Sequence, residues 1–209
     1  MKQLLITLLF IPFFTNAQTY MYVEANADTR TKTVSGGWKK STIIDRSGRV
    51  IEGEVRGYLY KGDDVKSFRY RPGKDSKAVT YKADDCLQVF YDDLIIVSLP
   101  KNPKKPAGKR QFYITIYFGE HLSILQDPKA KVAEAQPNSF IMNEGQMLNL
   151  LAFKDNKIYK LSKLKFRKQI RKLLADSPEW TAKAADKKWL KYDNIYEVAN
   201  FYNEAIKNK

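Results

Sequence analysis

Residues 41–56, STIIDRSGRVIEGEVR, contain the pattern that sets the fold of this chain. Two strand-like runs flank residues 45–48, DRSG, which are residues typical of a tight turn. After the turn the side chains alternate, with Ile51, Gly53 and Val55 on one face and Glu52, Glu54 and Arg56 on the other. A period of two around a glycine-containing turn predicts a β-hairpin.

Similar short segments, separated by turn residues, continue to about residue 161. Strands are predicted at residues 65–71, 78–82, 87–91, 94–99, 112–118, 122–124, 140–142, 147–153 and 158–161. The run at residues 112–118 is apolar on both faces, which is typical of a central strand. Regular short strands predict an antiparallel sheet that is curled or closed into a small barrel, because curling removes exposed edges.

A helical period replaces the strand period from Lys163 onward. Apolar residues at positions 166, 170, 173 and 174 follow the i, i+4, i+7, i+8 spacing of one helix face. Ser177 followed by Pro178 is a helix start, and a last helix is predicted from Asp193. The predicted fold class is therefore α+β, a β-rich body followed by about three short helices that pack on the sheet.

The N-terminus has the composition of a secretory signal peptide. Lys2 precedes a mostly apolar run to Phe14, and small residues lead to Ala17, after which cleavage is expected. The run is too short for a spanning helix, which needs about 20 apolar residues. The predicted organisation is a signal peptide (residues 1–17), a loose arm (18–40), a β-rich domain (41–161) and a helical segment (162–209). The chain is expected to be exported to the periplasm or cell envelope, with secretion as an alternative, and to have no transmembrane span once cleaved.

Composition excludes several kinds of site. The 209 residues contain one His and one Cys, so the chain by itself cannot build a metal site of three or four such ligands or an internal disulfide. Cys86 is expected to be a lone buried thiol. No cofactor, metal ligand or catalytic residue is predicted.

Basic residues are in excess, 37 Lys and Arg against 23 Asp and Glu, which gives a formal charge of +14. An exported protein meets phosphorylated lipids, anionic glycans and acidic proteins rather than nucleic acid. Two basic segments are candidate anion-binding surfaces, a loop at residues 101–110 and a helix that begins near Lys163. The candidate residues are Lys104, Lys105, Lys163, Lys165, Arg167, Lys168, Arg171 and Lys172. The alternative is a solvated face that keeps the protein soluble.

Other polar residues are better explained by structure than by catalysis. His121 follows Glu120 and lies two residues before Ser123, a spacing too close in sequence to indicate a catalytic pair. The acidic pairs at residues 63–64, 84–85 and 92–93 have no accompanying calcium-loop spacing. Turn formation is the expected role of these pairs.

Several short motifs resemble a group of small exported proteins of Bacteroidota. These motifs are residues 16–18, 44–55, 81–86, 143–145, 176–179 and 202–203, together with Phe166. The resemblance implies export and a β-rich body with a helical tail, and it brings no catalytic residue with it.

The favoured hypothesis is a non-enzymatic envelope protein that binds an anionic component, such as lipid or glycan, or a protein partner. Tyr58, Tyr60, Tyr113 and Tyr117 are expected to add contacts. One alternative is a hydrolase of envelope polymers that uses carboxylates alone, which would need two of them facing a cleft about 5–10 Å apart. A purely structural envelope protein is another alternative.

Overall fold

The computed structural model describes residues 37–59, 65–91, 94–102, 105, 107–127 and 149–207. The strands are β1 (Lys39–Asp45), β2 (Val50–Leu59), β3 (Val65–Arg71), β4 (Val79–Tyr81), β5 (Cys86–Tyr91), β6 (Leu94–Pro100), β7 (Arg110–Tyr117), β8 (Ser123–Gln126), β9 (Asn149–Lys154) and β10 (Lys157–Ser162). The helices are α1 (Phe166–Leu173), α2 (Pro178–Lys183) and α3 (Ile195–Lys207), with short 3₁₀ turns at Lys163–Lys165, Lys187–Leu190 and Tyr192–Asn194.

The strands form one antiparallel sheet in the order β10-β9-β8-β7-β6-β5-β1-β2-β3-β4. Two meanders, β1 to β4 and β5 to β10, join where β1 pairs with β5. The sheet is open and does not close into a barrel. Of the two predicted forms, the curled sheet is therefore confirmed and the small barrel is wrong. The predicted α+β class is confirmed, and β7 lies inside the sheet with buried side chains on both faces.

The side chain of Asp45 stabilises the turn of the β1–β2 hairpin. The Oδ1 atom of Asp45 accepts the backbone N–H groups of Ser47, at 2.9 Å, and Arg49, at 3.0 Å. Gly48 has a φ of +85°, a conformation that glycine adopts without steric cost. Residues within the turn itself therefore supply the hydrogen bonds that close the hairpin.

A shared apolar core curls the first part of the sheet. The Phe68 ring of β3 meets the Phe112 ring of β7 edge-on, with centroids 5.0 Å apart. In a flat sheet these two strands, five positions apart, would be separated by about 24 Å. Cys86 lies in the same core, fully buried. This burial confirms the prediction of a lone buried thiol, and it raises the pKa of the thiol to about 12.

The helices pack on the other end of β7 and on β8, β9 and β10. The shared core includes Phe166, Ile170, Trp180, Val198 and Tyr202. Ser177 caps α2 as predicted, since its Oγ accepts the N–H of Trp180 at 3.1 Å. The last helix begins at Ile195 rather than Asp193, because residues 192–194 form a 3₁₀ turn.

Asn203 joins α3 to the β7–β8 connection. Its Oδ1 accepts the N–H groups of His121, at 2.8 Å, and Leu122, at 3.1 Å. Its Nδ2 donates to the carbonyls of Leu122, at 2.9 Å, and Ala199, at 2.7 Å. One buried amide thus pairs four backbone groups, and it fixes the helical layer against the sheet.

Some predicted boundaries change, and some fall outside the described residues. Lys39 and Lys40 belong to β1 rather than to the arm, and Arg71 lies over the Trp38 ring at 4.1 Å. The signal peptide, the remainder of the arm and residues 140–148 of the predicted C-terminal hairpin lie outside. None of the described helices is long and apolar enough to cross a membrane.

Candidate anion-binding surfaces

The basic helix face is the outer side of α1 and of the 3₁₀ turn that precedes it. Phe166 and Ile170 face the core and are 1% and 0% exposed. The cations occupy the opposite side, where Lys165, Arg167, Lys168, Arg171 and Lys172 are exposed and Lys163 is half-buried. The structure therefore places the six candidate residues of this segment together on one surface.

Most of these cations have no acidic neighbour. Among the described residues, no carboxylate lies within ion-pair distance of Lys165, Arg167, Lys168 or Lys172. Arg171 differs, since its Nη2 donates to the Ala184 carbonyl at 3.1 Å and links α1 to the end of α2. These four cations of the basic helix face consequently keep their positive charge uncompensated by described groups.

Leu164 lies at the start of this face and is 94% exposed. The other large exposed apolar residues in the described part of the chain, Val50 and Val79, are 48% and 55% exposed. Single exposed apolar residues are common on protein surfaces, so exposure alone indicates little. Leu164 is distinguished by its position beside the exposed cations of the basic helix face.

The second basic segment is the hairpin that joins β6 to β7. Lys105 is exposed, and its backbone closes two turns with Asn102, at 2.9 Å, and Gly108, at 2.8 Å. Lys104 lies outside the described residues. The hairpin and α1 follow different strands, β6 and β10, so the two predicted segments are separate surfaces.

Beside this hairpin the curl leaves a cavity of about 1070 Å³, here called the basic cleft. Its floor is formed by buried residues, among them Val65, Ser67, Ala83 and Phe112. Five cations line it, Lys66, Lys82, Lys101, Lys109 and Arg110. Asp84 is the one carboxylate among the described lining residues. The described lining residues therefore carry an excess of four positive charges at neutral pH.

Hydrogen bonds fix one wall of the basic cleft. The Arg110 guanidinium donates to the Ser98 hydroxyl at 3.0 Å and also to the Ser98 carbonyl. The Ser98 hydroxyl in turn donates to the Ala83 carbonyl. The backbone N–H of Arg110 donates to Asp84 Oδ1 at 3.1 Å, so the β4–β5 turn is tied to β7.

A second groove, of about 670 Å³, carries the carboxylates that a hydrolase would need. Glu52 and Glu54 both line it, two residues apart on β2. Arg71 donates to Glu54 Oε2 from both Nε and Nη2 at 2.7 Å, so Glu54 is held in an ion pair within the protein. Because Arg71 already occupies one of the two carboxylates, this groove does not favour the hydrolase alternative.

Lys154 has a structural environment rather than a ligand-binding one. Its Nζ contacts Asp155 at 2.9 Å and Asp176 at 3.0 Å, and the Tyr202 hydroxyl donates to Asp176 at 2.8 Å. Burial by itself lowers the pKa of Lys154, but the hydrogen bonds to the two carboxylates outweigh it and raise the pKa overall. Burial raises the pKa of Tyr202 to about 12, with the hydrogen bond to Asp176 adding to the shift. The cluster ties the β9–β10 turn to α3.

The residues considered for catalysis have structural roles. The Ser123 hydroxyl donates to the Gly119 carbonyl at 2.9 Å, and the backbone of His121 is held by Asn203. Asp85 accepts the Lys82 N–H at 2.7 Å within the predicted turn. Within the described ranges, no three His, Cys, Asp or Glu side chains are grouped as metal ligands would be.

Two of the four tyrosines expected to supply contacts are buried. Tyr113 and Tyr117 are each 4% exposed, because both faces of β7 are covered, so that expectation is wrong for them. The Tyr58 side chain and Tyr60 lie outside the described residues.

No family model, curated protein or solved structure matches this chain. The resemblance to exported proteins of Bacteroidota therefore stays a prediction from the short motifs alone.

Sequence reasoning missed the basic cleft and the exposure of Leu164. The cleft residues come from three separate hairpins and turns, so no local pattern links them. The exposure of Leu164 could have been predicted, because Leu164 precedes Phe166 by two residues, which is about 200° around a helix. That position is opposite the apolar face of α1.

Proposed function

We propose that this protein is an exported, non-enzymatic envelope protein that binds an anionic membrane surface through the basic helix face. The observation that carries the proposal is the exposed Leu164 of the 3₁₀ turn beside the exposed cations Lys165, Arg167, Lys168 and Lys172. Anionic lipid headgroups attract basic residues near the membrane with about 1 kcal/mol each. An exposed leucine beside them can enter the boundary between headgroups and acyl chains.

Lipid fits this surface better than a soluble polyanion because of Leu164. A polyanion in water would gain nothing from an apolar side chain that is 94% exposed. A bilayer removes that side chain from water, which contributes about 1.5–3 kcal/mol when burial is complete. Phe166 and Ile170 stay in the core, so the contact does not require α1 to leave the sheet.

The test is sedimentation of the purified protein with vesicles of equal parts phosphatidylglycerol and phosphatidylcholine. Replacement of Lys165, Arg167, Lys168 and Lys172 with Gln should lower the partition coefficient at least about tenfold, because four interfacial charges are removed. Arg171 is kept because it bonds to Ala184. The control variant replaces Lys74, Lys77, Lys191 and Lys207, four exposed lysines elsewhere, and should bind within about twofold of wild type.

Leu164→Ser separates the lipid part of the proposal from its electrostatic part. We expect severalfold weaker binding to these vesicles with an unchanged melting temperature, since Leu164 contacts water in the free protein. Equal binding by the quadruple Gln variant and its control would refute the role of the basic helix face. Unchanged vesicle binding by Leu164→Ser would refute insertion into lipid.

A further inference from the structure

We infer that the basic cleft is a second binding site, for a compact, sugar-sized ligand that carries several phosphate groups. Its volume of about 1070 Å³ matches the upper range of small-molecule sites, about 300–1,000 Å³. It is independent of the basic helix face. Along β7, Arg110 lines the cleft while Tyr117, about 23 Å away, packs under Tyr196 of α3.

The positive charge of the basic cleft determines that its ligand is an anion. Lys82, Lys101 and Lys109 are exposed at the rim, and no described carboxylate forms an ion pair with them. Asp84, the one carboxylate among the described lining residues, accepts the backbone N–H of Arg110 and is outnumbered by five lining cations. Clefts lined by one sign of charge over an apolar floor concentrate ions of the opposite sign.

The type of cation favours phosphate over carboxylate. Planar carboxylates are best matched by a free guanidinium fork, whereas a lysine ammonium binds phosphate as a point charge from many directions. Four of the five lining cations are lysines. The guanidinium of the fifth, Arg110, already donates from two nitrogens to Ser98. Separate lysines on several elements suit several separate phosphate groups.

The cleft is also preformed. The Arg110–Ser98–Ala83 hydrogen bonds fix the β4–β5 turn against β6 and β7. The contact between the Phe68 and Phe112 rings fixes the distance from β3 to β7. The backbone that carries the lysines is therefore already in place, so binding has no ordering cost for the backbone.

The test is isothermal titration with inositol hexakisphosphate as the phosphate probe and tri-galacturonate as the carboxylate probe, at physiological salt. The cleft variant replaces Lys82, Lys101 and Lys109 with Gln. All three lysines are exposed, so the fold should tolerate their replacement. The matched control replaces Lys77, Lys191 and Lys207 with Gln, three exposed lysines outside both basic surfaces, which removes the same charge. We expect the phosphate probe to bind wild type and the control within about threefold of each other, and the cleft variant at least tenfold more weakly.

Three results would overturn the inference. One is equal weakening by the cleft variant and the control, which would indicate attraction by net charge alone. Another is tighter binding of tri-galacturonate than of the phosphate probe. The last is the absence of binding by wild type.

To separate a free ligand from a phosphorylated lipid headgroup, the vesicle sedimentation assay is repeated with the phosphate probe present. Competition would place the headgroup in the cleft, and no competition would indicate a free ligand.

Discussion

Replacement of Asn203 with Ala is expected to lower the free energy of unfolding by about 2–4 kcal/mol, because buried donors and acceptors lose their partners. The substitution leaves the N–H groups of His121 and Leu122 without the oxygen that accepts both. It also removes the donor to the Leu122 carbonyl. For a chain of this size the melting temperature should fall by about 6–12 °C.

The measurement is urea unfolding followed by tryptophan fluorescence and circular dichroism. Asn200→Ala is the matched control, since Asn200 is exposed on the same helix and has only a 3.4 Å contact with Tyr117. It should change stability by less than about 0.5 kcal/mol. Asn203→Asp, which keeps the acceptors and loses the donors, should also destabilise the fold. If the Asn203→Ala protein is as stable as the Asn200→Ala control, the hydrogen bonds of Asn203 do not hold α3 to the β7–β8 connection.

Gly53→Ala is the second large expected effect. A Cβ atom built at Gly53 lies 2.5 Å from Cε2 of Tyr70 and 2.7 Å from the backbone oxygen of Arg71. The tyrosine ring can shift, but the carbonyl belongs to β3, which pairs with β2 at Glu54 and Arg71. Steric overlap of this kind costs about 1–3 kcal/mol. We expect the upper part of that range because backbone has to move.

Gly73→Ala is the control, because a Cβ atom there meets nothing within 4 Å. It should be neutral or slightly stabilising, since alanine lowers the entropy of the unfolded chain. Thermal unfolding of both variants in the same buffer gives the comparison. If Gly53→Ala melts within about 1 °C of Gly73→Ala, the close approach of β3 to Gly53 is not present in solution.

The sequence predicts those parts of the fold that depend on neighbouring residues. Asp45 and Gly48 determine the first hairpin, the alternation at residues 112–118 predicts a central strand, and Ser177 caps α2. The spacing of Phe166 and Ile170 identifies the buried side of α1, and therefore its basic side as well. Each of these features follows from a pattern a few residues long.

The remaining features depend on the curl of the sheet. Whether ten strands close into a barrel or stay open depends on packing such as that of Phe68 on Phe112, residues 44 positions apart in sequence. The basic cleft exists because that curl brings β3, the β4–β5 turn and the β6–β7 hairpin together. No local pattern encodes the meeting of Lys82 with Lys101 and Lys109, so the site was not predictable.

The clearest test of the central claim is fractionation of cells that produce the tagged protein, with the envelope pellet washed at low salt and at 1 M salt. At 1 M salt, exposed charges are screened within about 3 Å. We expect wild type to stay in the pellet at low salt and to leave it at 1 M salt. The variant lacking Lys165, Arg167, Lys168 and Lys172 should already be released at low salt. Wild type that never pellets, or that stays bound at 1 M salt together with the variant, would contradict binding through the basic helix face.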